Sequence, residues 1–447
     1  MTQINDLRSF IEILRQNNQL AEIERPVSLE YEIGTVIANL EKKNMGAGLF
    51  KNVKNSKFQV IGGVLGSMER VALALGCKKS EINEFVGKCL DNPIPPVVVD
   101  TAPCHQNILL DDEADLNLLP IPTHAPKDGG PYITGGVTVG KELHGNRHNL
   151  SFIRMQLKGK RKLGVNINEW RHMREFYDEA EKEGKRLPIA VVIGADPVYY
   201  IAAGLRYDGD ETEIAGALRG KAIEVVKCIT SDIYVPATSE IVIEAEILPH
   251  YREEEGPLGE YTGHYSATWQ NPVLEVKAIT YRNGAIFQTI AGASFEHVNL
   301  GNVLPREPLL KKFTQYVSSG VINVHLPPYG SGFLALIQVK KKNPGEPKNL
   351  ALAAMMSYVN IKNVIVVDED VDIFNPADVM WALSNRVIPE KDIFYVPNSQ
   401  GHELDPSSDR RGVHTKMGID ATLSEESKGI ERVVYPDIDL QEYLDAK

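Results

Sequence analysis

Apolar residues recur at Leu7, Phe10, Ile11 and Leu14, and this spacing predicts an amphipathic helix over 5–17. A second helix begins near Leu29 and carries Ile33, Val36, Ile37 and Leu40, and short apolar runs at 57–65 and 97–99 read as strands. Pro93, Pro95 and Pro96 then open an irregular region that continues through Pro103, Pro120, Pro122 and Pro126. From about 131 to 300 the pattern changes. Strand-like runs recur at 132–139, 151–157, 189–193, 223–227, 241–247, 273–281 and 286–290, with helical stretches near 170–184 and 211–219. Many such strands predict a sheet-rich, barrel-like unit. Residues 306–319 read as a helix through Leu309, Leu310, Phe313 and Tyr316, stopped by Gly320. Runs at 333–339, 363–367 and 394–396 then alternate with helices at 347–358 and 376–385, an α/β pattern with a parallel component. The expected chain is therefore mixed α/β in three parts: an N-terminal α/β unit over 1–125, a sheet-rich unit over 126–304, and a linking helix with a C-terminal α/β unit over 305–447. No internal repeat or low-complexity tract appears.

The 447 residues are enough for two or three domains and a large core. A formal net charge of −12 disfavours a nucleic-acid partner, whose phosphates it would repel, while local arginines remain able to hold a small anion. The most apolar stretch, Ile189 to Leu205, is broken by Asp196-Pro197, so no membrane span is expected. The first residues lack the basic start and apolar run of a signal peptide. Four cysteines (Cys77, Cys89, Cys104, Cys228) lie far apart with no Cys-x-x-Cys, which predicts free thiols in a reducing cytoplasm.

Candidate chemistry concentrates in Glu255-Gly-Pro-Leu-Gly-Glu260. Gly256-Pro257 and Gly259 mark a bend, and a bend of this length turns two carboxylates toward one point. Two carboxyls at one site do not ionise equally: the one paired with a cation stays charged, and its neighbour is able to carry a proton. That is what a proton-donating enzyme needs, although surface turns also hold Glu and Gly. Upstream, Asn149-Leu-Ser-Phe-Ile-Arg154 reads as a strand that puts Asn149, Ser151 and Ile153 on one face and Leu150, Phe152 and Arg154 on the other. An arginine sharing a face with Phe152 needs a carboxylate or another acceptor.

Arg154 read together with Glu255 and Glu260 resembles the Arg-Glu-Glu set of the UbiD family of reversible decarboxylases. Further matches run through most of the chain: Asp128-Gly-Gly-Pro-Tyr-Ile-Thr134, Leu218-Arg-Gly220, Val226-Lys-Cys228, Val235-Pro-Ala237, the Gly-His-Tyr265 that follows Glu260, Asp368-Glu-Asp370 and Lys416-Met-Gly-Ile-Asp-Ala-Thr422. The resemblance implies a central split β-barrel like that of flavin reductases. It also implies prenylated flavin mononucleotide, made by a separate flavin prenyltransferase and held with Mn²⁺ or Mg²⁺, often with K⁺. Of the family's Asn, His and Glu metal ligands, Asn149 and Glu211 match the first and third. Oxygen ligands with one imidazole suit such an ion bridging to a phosphate, and no P-loop is present to hold one otherwise. The family's histidine position falls on Arg171, with His172 one residue further; either His172 is the ligand or Arg171 meets the phosphate directly. Ser151 and Met155 are expected to touch the flavin. Lys416 either reaches the cofactor phosphate or is a surface lysine. Asp368-Glu-Asp370 reads as structural.

The implied activity is non-oxidative decarboxylation of an aromatic, heteroaromatic (furan or pyrrole type) or α,β-unsaturated acid, with the modified flavin as electron sink. Arg154 and Glu255 would hold the substrate carboxylate, and Glu260 would deliver a proton to the carbon that lost CO₂. His297 and Arg306 suit a second polar or anionic group on the substrate; the plain alternative is that Arg306 starts a helix. Two other readings are a flavin-dependent oxidoreductase, which no Gly-x-Gly-x-x-Gly supports, and a non-catalytic subunit of a carboxylase complex. A homodimer or larger homo-oligomer is expected from the family.

Overall fold

The computed structural model describes residues 4–167, 172–409 and 411–424, and scattered positions beyond 424. The first helix, Leu7–Gln16, buries the expected stripe of Leu7, Phe10, Ile11 and Leu14, and Asp6 caps it by accepting from the Ser9 amide at 2.8 Å. The N-terminal sheet runs Leu20–Ile23, Ala47–Phe50, Gln59–Gly62, Ile286–Thr289. Its last strand comes from the run read as the middle of the chain, and pairs in parallel with Gln59–Gly62. A long excursion therefore returns to the first unit and ties the two together.

The central sheet has nine strands. Eight follow one path: Tyr132–Ile133, Met155–Gly159, Lys162–Val165, Trp269–Tyr281, Ile241–Glu255, Leu187–Ile193, Gly136–Lys141, His148–Phe152. Asn107–Leu110 pairs with Trp269–Tyr281 off this path. Strands His148–Phe152 and Met155–Gly159 are consecutive in the chain yet six spacings apart along the sheet, about 29 Å if it were flat. The connection is Ile153-Arg154 alone, which bridges about 10 Å at most. The sheet must curl until its two ends meet, and the seam of the resulting split barrel lies at Arg154. The single strand expected over 151–157 is therefore two, and the alternation across 149–154 ends at Phe152. The apolar run 189–205 resolves into the strand Leu187–Ile193 and the buried helix Pro197–Gly204, started by Asp196, whose side chain accepts from the Val198 amide.

The helix Glu307–Val317 leads into a C-terminal five-stranded sheet, in the order Val321–His325, Leu334–Val339, Asn363–Asp368, Val413–Ala421, Ile393–Gln400, with the middle three parallel. Asp368-Glu-Asp370 is structural: Arg386 reaches Asp368 at 3.1 Å and Asp370 at 2.6 Å, and the Leu423 amide reaches Asp368. Among the described residues no helix is long and apolar enough to cross a membrane.

Candidate active site in the barrel seam

Glu255 is the last residue of the long strand Ile241–Glu255, opposite Trp269 in the neighbouring strand. The bend after it is held from three sides. Asp128 accepts from the Gly259 amide at 3.0 Å, Gln156 from the Gly256 amide at 3.2 Å, and Ser266 from the Leu258 amide at 3.1 Å. The Asp128-Gly-Gly loop lies so close that a Cβ on Gly129 would stand 2.2 Å from the Gly256 carbonyl oxygen, so only glycine fits there. This clamp delivers Glu260 to the seam next to Glu255.

Arg154 joins the two acids. Its Nε and Nη2 donate to the two oxygens of Glu255 at 3.0 and 2.9 Å, a bidentate pair, and its Nη1 donates to Glu260. Asn271 adds a 2.9 Å bond to Glu255. The Glu255 side chain is 0% exposed, and those of Arg154 and Glu260 are 12% and 10%. Burial works against the charged guanidinium, but Glu255 and Glu260 more than offset it and hold Arg154 above its ordinary value. Burial, reinforced by the charge of Glu255, pushes the Tyr132 hydroxyl up as well.

His297 is the expected substrate-side residue that the structure brings closest in effect. Burial lowers its pKa, and both Glu260 and Arg154 act on it electrostatically. Its ring meets that of Tyr261 edge-on at 6.0 Å, and Phe333 and His402 pack on the same tyrosine at 6.1 and 6.2 Å. Arg306 stands over the Tyr358 ring at 4.3 Å, with its Nε buried and unpartnered. Tyr358 donates to Asn302 at 3.1 Å. The seam thus faces the C-terminal unit across a wall of rings and amides.

Asn149 and Glu211 also meet. Asn149 donates from Nδ2 to Glu211 at 2.9 Å, the Leu150 amide donates to the other Glu211 oxygen at 2.9 Å, and Ser151 donates to Asn149 Oδ1 at 2.6 Å. Glu211 is buried, no ion pair reaches it among the described residues, and burial pushes its carboxyl up to about 8. A buried carboxylate beside an amide oxygen and lacking a cation fits a divalent ion. Among the described residues no cluster of three His, Cys, Asp or Glu forms a metal cage, but the expected set holds only two of those types. His172 is the first residue of the helix His172–Lys182 and is half-buried. Arg171 lies outside the described residues. His148, the residue before Asn149, has its Nδ1 3.6 Å from Asp210, the residue before Glu211, and its Nε2 is buried without a partner. Met155 is fully buried on the strand after the seam.

Lys416 is neither on the surface nor available to a phosphate. Its ammonium donates to the carbonyls of Met355, Val359 and Ile361 at 3.2, 2.9 and 2.8 Å. These three bonds use all three of its donors at the end of the helix Glu346–Ser357. The expectation of a cofactor lysine is therefore corrected to a structural one. Residues not singled out from the sequence are Tyr132, Tyr261, Asn271, His148 and His402. Tyr132 and Tyr261 lie inside the matched motifs, a signal available but unused; His148 and Asn271 have none beyond adjacency.

Three family models match in order: the 3-octaprenyl-4-hydroxybenzoate carboxy-lyase N-terminal, Rift-related and C-terminal domains of UbiD, at residues 11–90, 97–294 and 300–421. Anhydromevalonate phosphate decarboxylase from Methanosarcina mazei is 38% identical over 434 residues, covering 96% of this chain and 99% of that one. Its namesake from Methanothermobacter thermautotrophicus is 33% identical, covering 93% and 96%. Among solved structures, the UbiD-class enzyme HmfF from Pelotomaculum thermopropionicum, in complex with FMN, superposes with a TM-score of 0.94 at 38% identity over 98% of this chain and 100% of that one. An evolved dimeric form of HmfF, in complex with prFMN, gives 0.90 at 35% identity over 98% and 100%. With the barrel, its seam and the Arg154–Glu255–Glu260 set in place, the readings as oxidoreductase or non-catalytic subunit give way, and the chain belongs to the UbiD family as a carboxy-lyase.

Proposed function

We propose that this enzyme decarboxylates a small unsaturated acid that carries a second anionic group, with anhydromevalonate phosphate as the first candidate, and that it does so with prenylated FMN held through Mn²⁺ or Mg²⁺. The observation that carries the reading is Arg154 shared between Glu255 and Glu260 in the barrel seam. Bound prenylated flavin supplies the sink for the electron pair left as CO₂ departs. Arg154, oriented by its two-point contact with Glu255, holds the substrate carboxylate. Glu260 hands its proton to the carbon that lost CO₂. The fixed bend at Gly256–Glu260 and the burial of Glu255 and Glu260 keep both acids largely out of water. Asn149 and Glu211 would hold the metal, with His172 or His148 as the imidazole, and Ser151 and Met155 would border the flavin.

The relatives' substrate is by name the dehydrated form of a hydroxy acid, hence unsaturated, and bears a phosphate. Arg306, with an unpartnered Nε and no ion pair among the described residues, supplies a cationic end for such a group, and His297, nine residues earlier, an imidazole able to hydrogen-bond it. Four free cysteines fit a reducing compartment. Exposed Leu309, Phe313 and Tyr316 on the linking helix fit a homo-oligomer.

The test is reconstitution with prenylated FMN and Mn²⁺, followed by CO₂ release from anhydromevalonate phosphate, its dephosphorylated analogue and protocatechuate. Turnover of the phosphate compound well above the other two supports the reading. Preference for protocatechuate would sink the substrate assignment while leaving the decarboxylase intact.

A further inference from the structure

We propose that Glu41 and Glu296 are positioning residues: together they clasp the one-turn helix Phe295–Val298 onto the N-terminal unit and so fix where His297 and Arg306 stand. The inference rests on the reading of those two residues as the end that receives the distal anion.

The clasp is reciprocal. Glu296, in the helix, sends its carboxylate to the amides of Gly63 and Leu65 in the loop after the strand Gln59–Gly62, both at 2.8 Å. Glu41, in the helix Glu32–Lys42, sends its carboxylate back to the amides of Phe295 and Glu296, at 2.9 and 3.2 Å. Ser294 accepts from the third amide, that of His297, at 3.2 Å. All three leading amides of this turn are thus satisfied, two of them by a side chain from another unit. Asn299 adds a bond from Nδ2 to the Leu65 carbonyl at 3.1 Å. From Asn299 the chain enters the π turn Asn299–Val303, and Arg306 caps the next helix. One continuous segment therefore carries both His297 and Arg306; the clasp holds its first turn to the N-terminal unit, and Asn83, donating to Glu307 at 3.0 Å, holds its far end.

The bonds are set in low-dielectric surroundings. Glu296 is fully buried, and Arg70, 2% exposed, feels the charge of both acids, with its Nε unpartnered and Nη1 on Gln19 at 3.3 Å. Burial pushes both carboxyls up, Glu296 to about 7, and the Arg70 charge counteracts it. Beside the clasp lies a cavity of about 270 Å³, lined by Glu41, Gly66, Ser67, Arg70, Phe295 and Asn299. With open space on that side, packing alone does not define the height of the turn, and the directional bonds must. Glutamine at 296 offers one acceptor oxygen to two amides, so one bond is lost and an NH₂ faces an N–H.

The test compares the reconstituted full chain with Glu296→Gln, Glu41→Gln and Arg306→Ala, using anhydromevalonate phosphate. Glu296→Gln is expected to raise KM about tenfold, with kcat changed less than about threefold, since a displaced binding group costs affinity before chemistry. Glu41→Gln should do the same, and it serves if Glu296→Gln fails to fold. A merely structural loss would lower the active fraction, and hence kcat, at unchanged KM; that result overturns the inference. KM raised by Arg306→Ala alone overturns the clasp and leaves the substrate reading standing. KM unchanged in all three overturns the reading of Arg306 and the inference with it.

Discussion

Arg154→Lys keeps a positive charge in the seam but loses the fork. Three guanidinium nitrogens now make three contacts, two to Glu255 at 3.0 and 2.9 Å and one to Glu260. A lysine ammonium is a single point at the end of a flexible stem and keeps one of them in this geometry. Hydrogen bonds to charged groups are worth about 1.5–3 kcal/mol each, so two lost bonds remove about 3–6 kcal/mol before relaxation. Taking the lower end, at about 1.4 kcal/mol per decade, the decarboxylation rate should fall about a hundredfold or more. The assay is CO₂ release by the reconstituted enzyme, with flavin absorbance and the thermal midpoint measured on the same sample. A variant that turns over within threefold of the wild type, with its midpoint unchanged, would refute the claim that the fork organises both acids.

Lys416→Met should lower stability by about 1–3 kcal/mol, because three carbonyls, those of Met355 and Ile361 in buried contacts, lose their donor, while kcat per folded enzyme stays unchanged; urea unfolding and activity on the soluble fraction check both. Asp405 is held well below the ordinary carboxylate range: burial opposes this, but bonds from the Ser407 amide, His414 and Lys362 prevail. Its contribution to stability is therefore complete above the unfolded value near 3.8 and disappears as pH falls through the lower folded value. Asp405→Asn should flatten that acid limb in thermal midpoints measured from pH 5 downward. Glu211→Gln should weaken Mn²⁺ binding by about tenfold or more, read by the paramagnetic resonance of free Mn²⁺ in protein without flavin.

Much of the fold is written in apolar periodicity. Leu7, Phe10, Ile11 and Leu14 face the core as their spacing requires, and the strands and helices after 333 alternate as read. The strand Val413–Ala421 escaped because its inward positions are His414, Lys416 and Gly418, which break the alternation of apolar residues. Arg154 was legible as an arginine needing an acid, but not as the seam: that depends on two strands separated by two residues joining opposite ends of one sheet, which no local pattern contains. Glu255 and Glu260 were legible from the glycine-rich bend, and Asp128 and Gln156 explain why it is rigid. Lys416 matched a motif yet serves the backbone, since type and order in sequence do not say which acceptor lies within reach. His148 went unnoticed because its relation to Asp210 spans distant segments.

The central claim is that Glu260, beside the Arg154–Glu255 pair, hands over the proton that completes decarboxylation. The direct measurement is CO₂ release from anhydromevalonate phosphate by Glu260→Gln enzyme loaded with prenylated FMN and Mn²⁺, with bound flavin quantified by absorbance. The account predicts full cofactor retention and a rate lowered by about 10²–10⁴-fold. A rate within threefold of the wild type would contradict it.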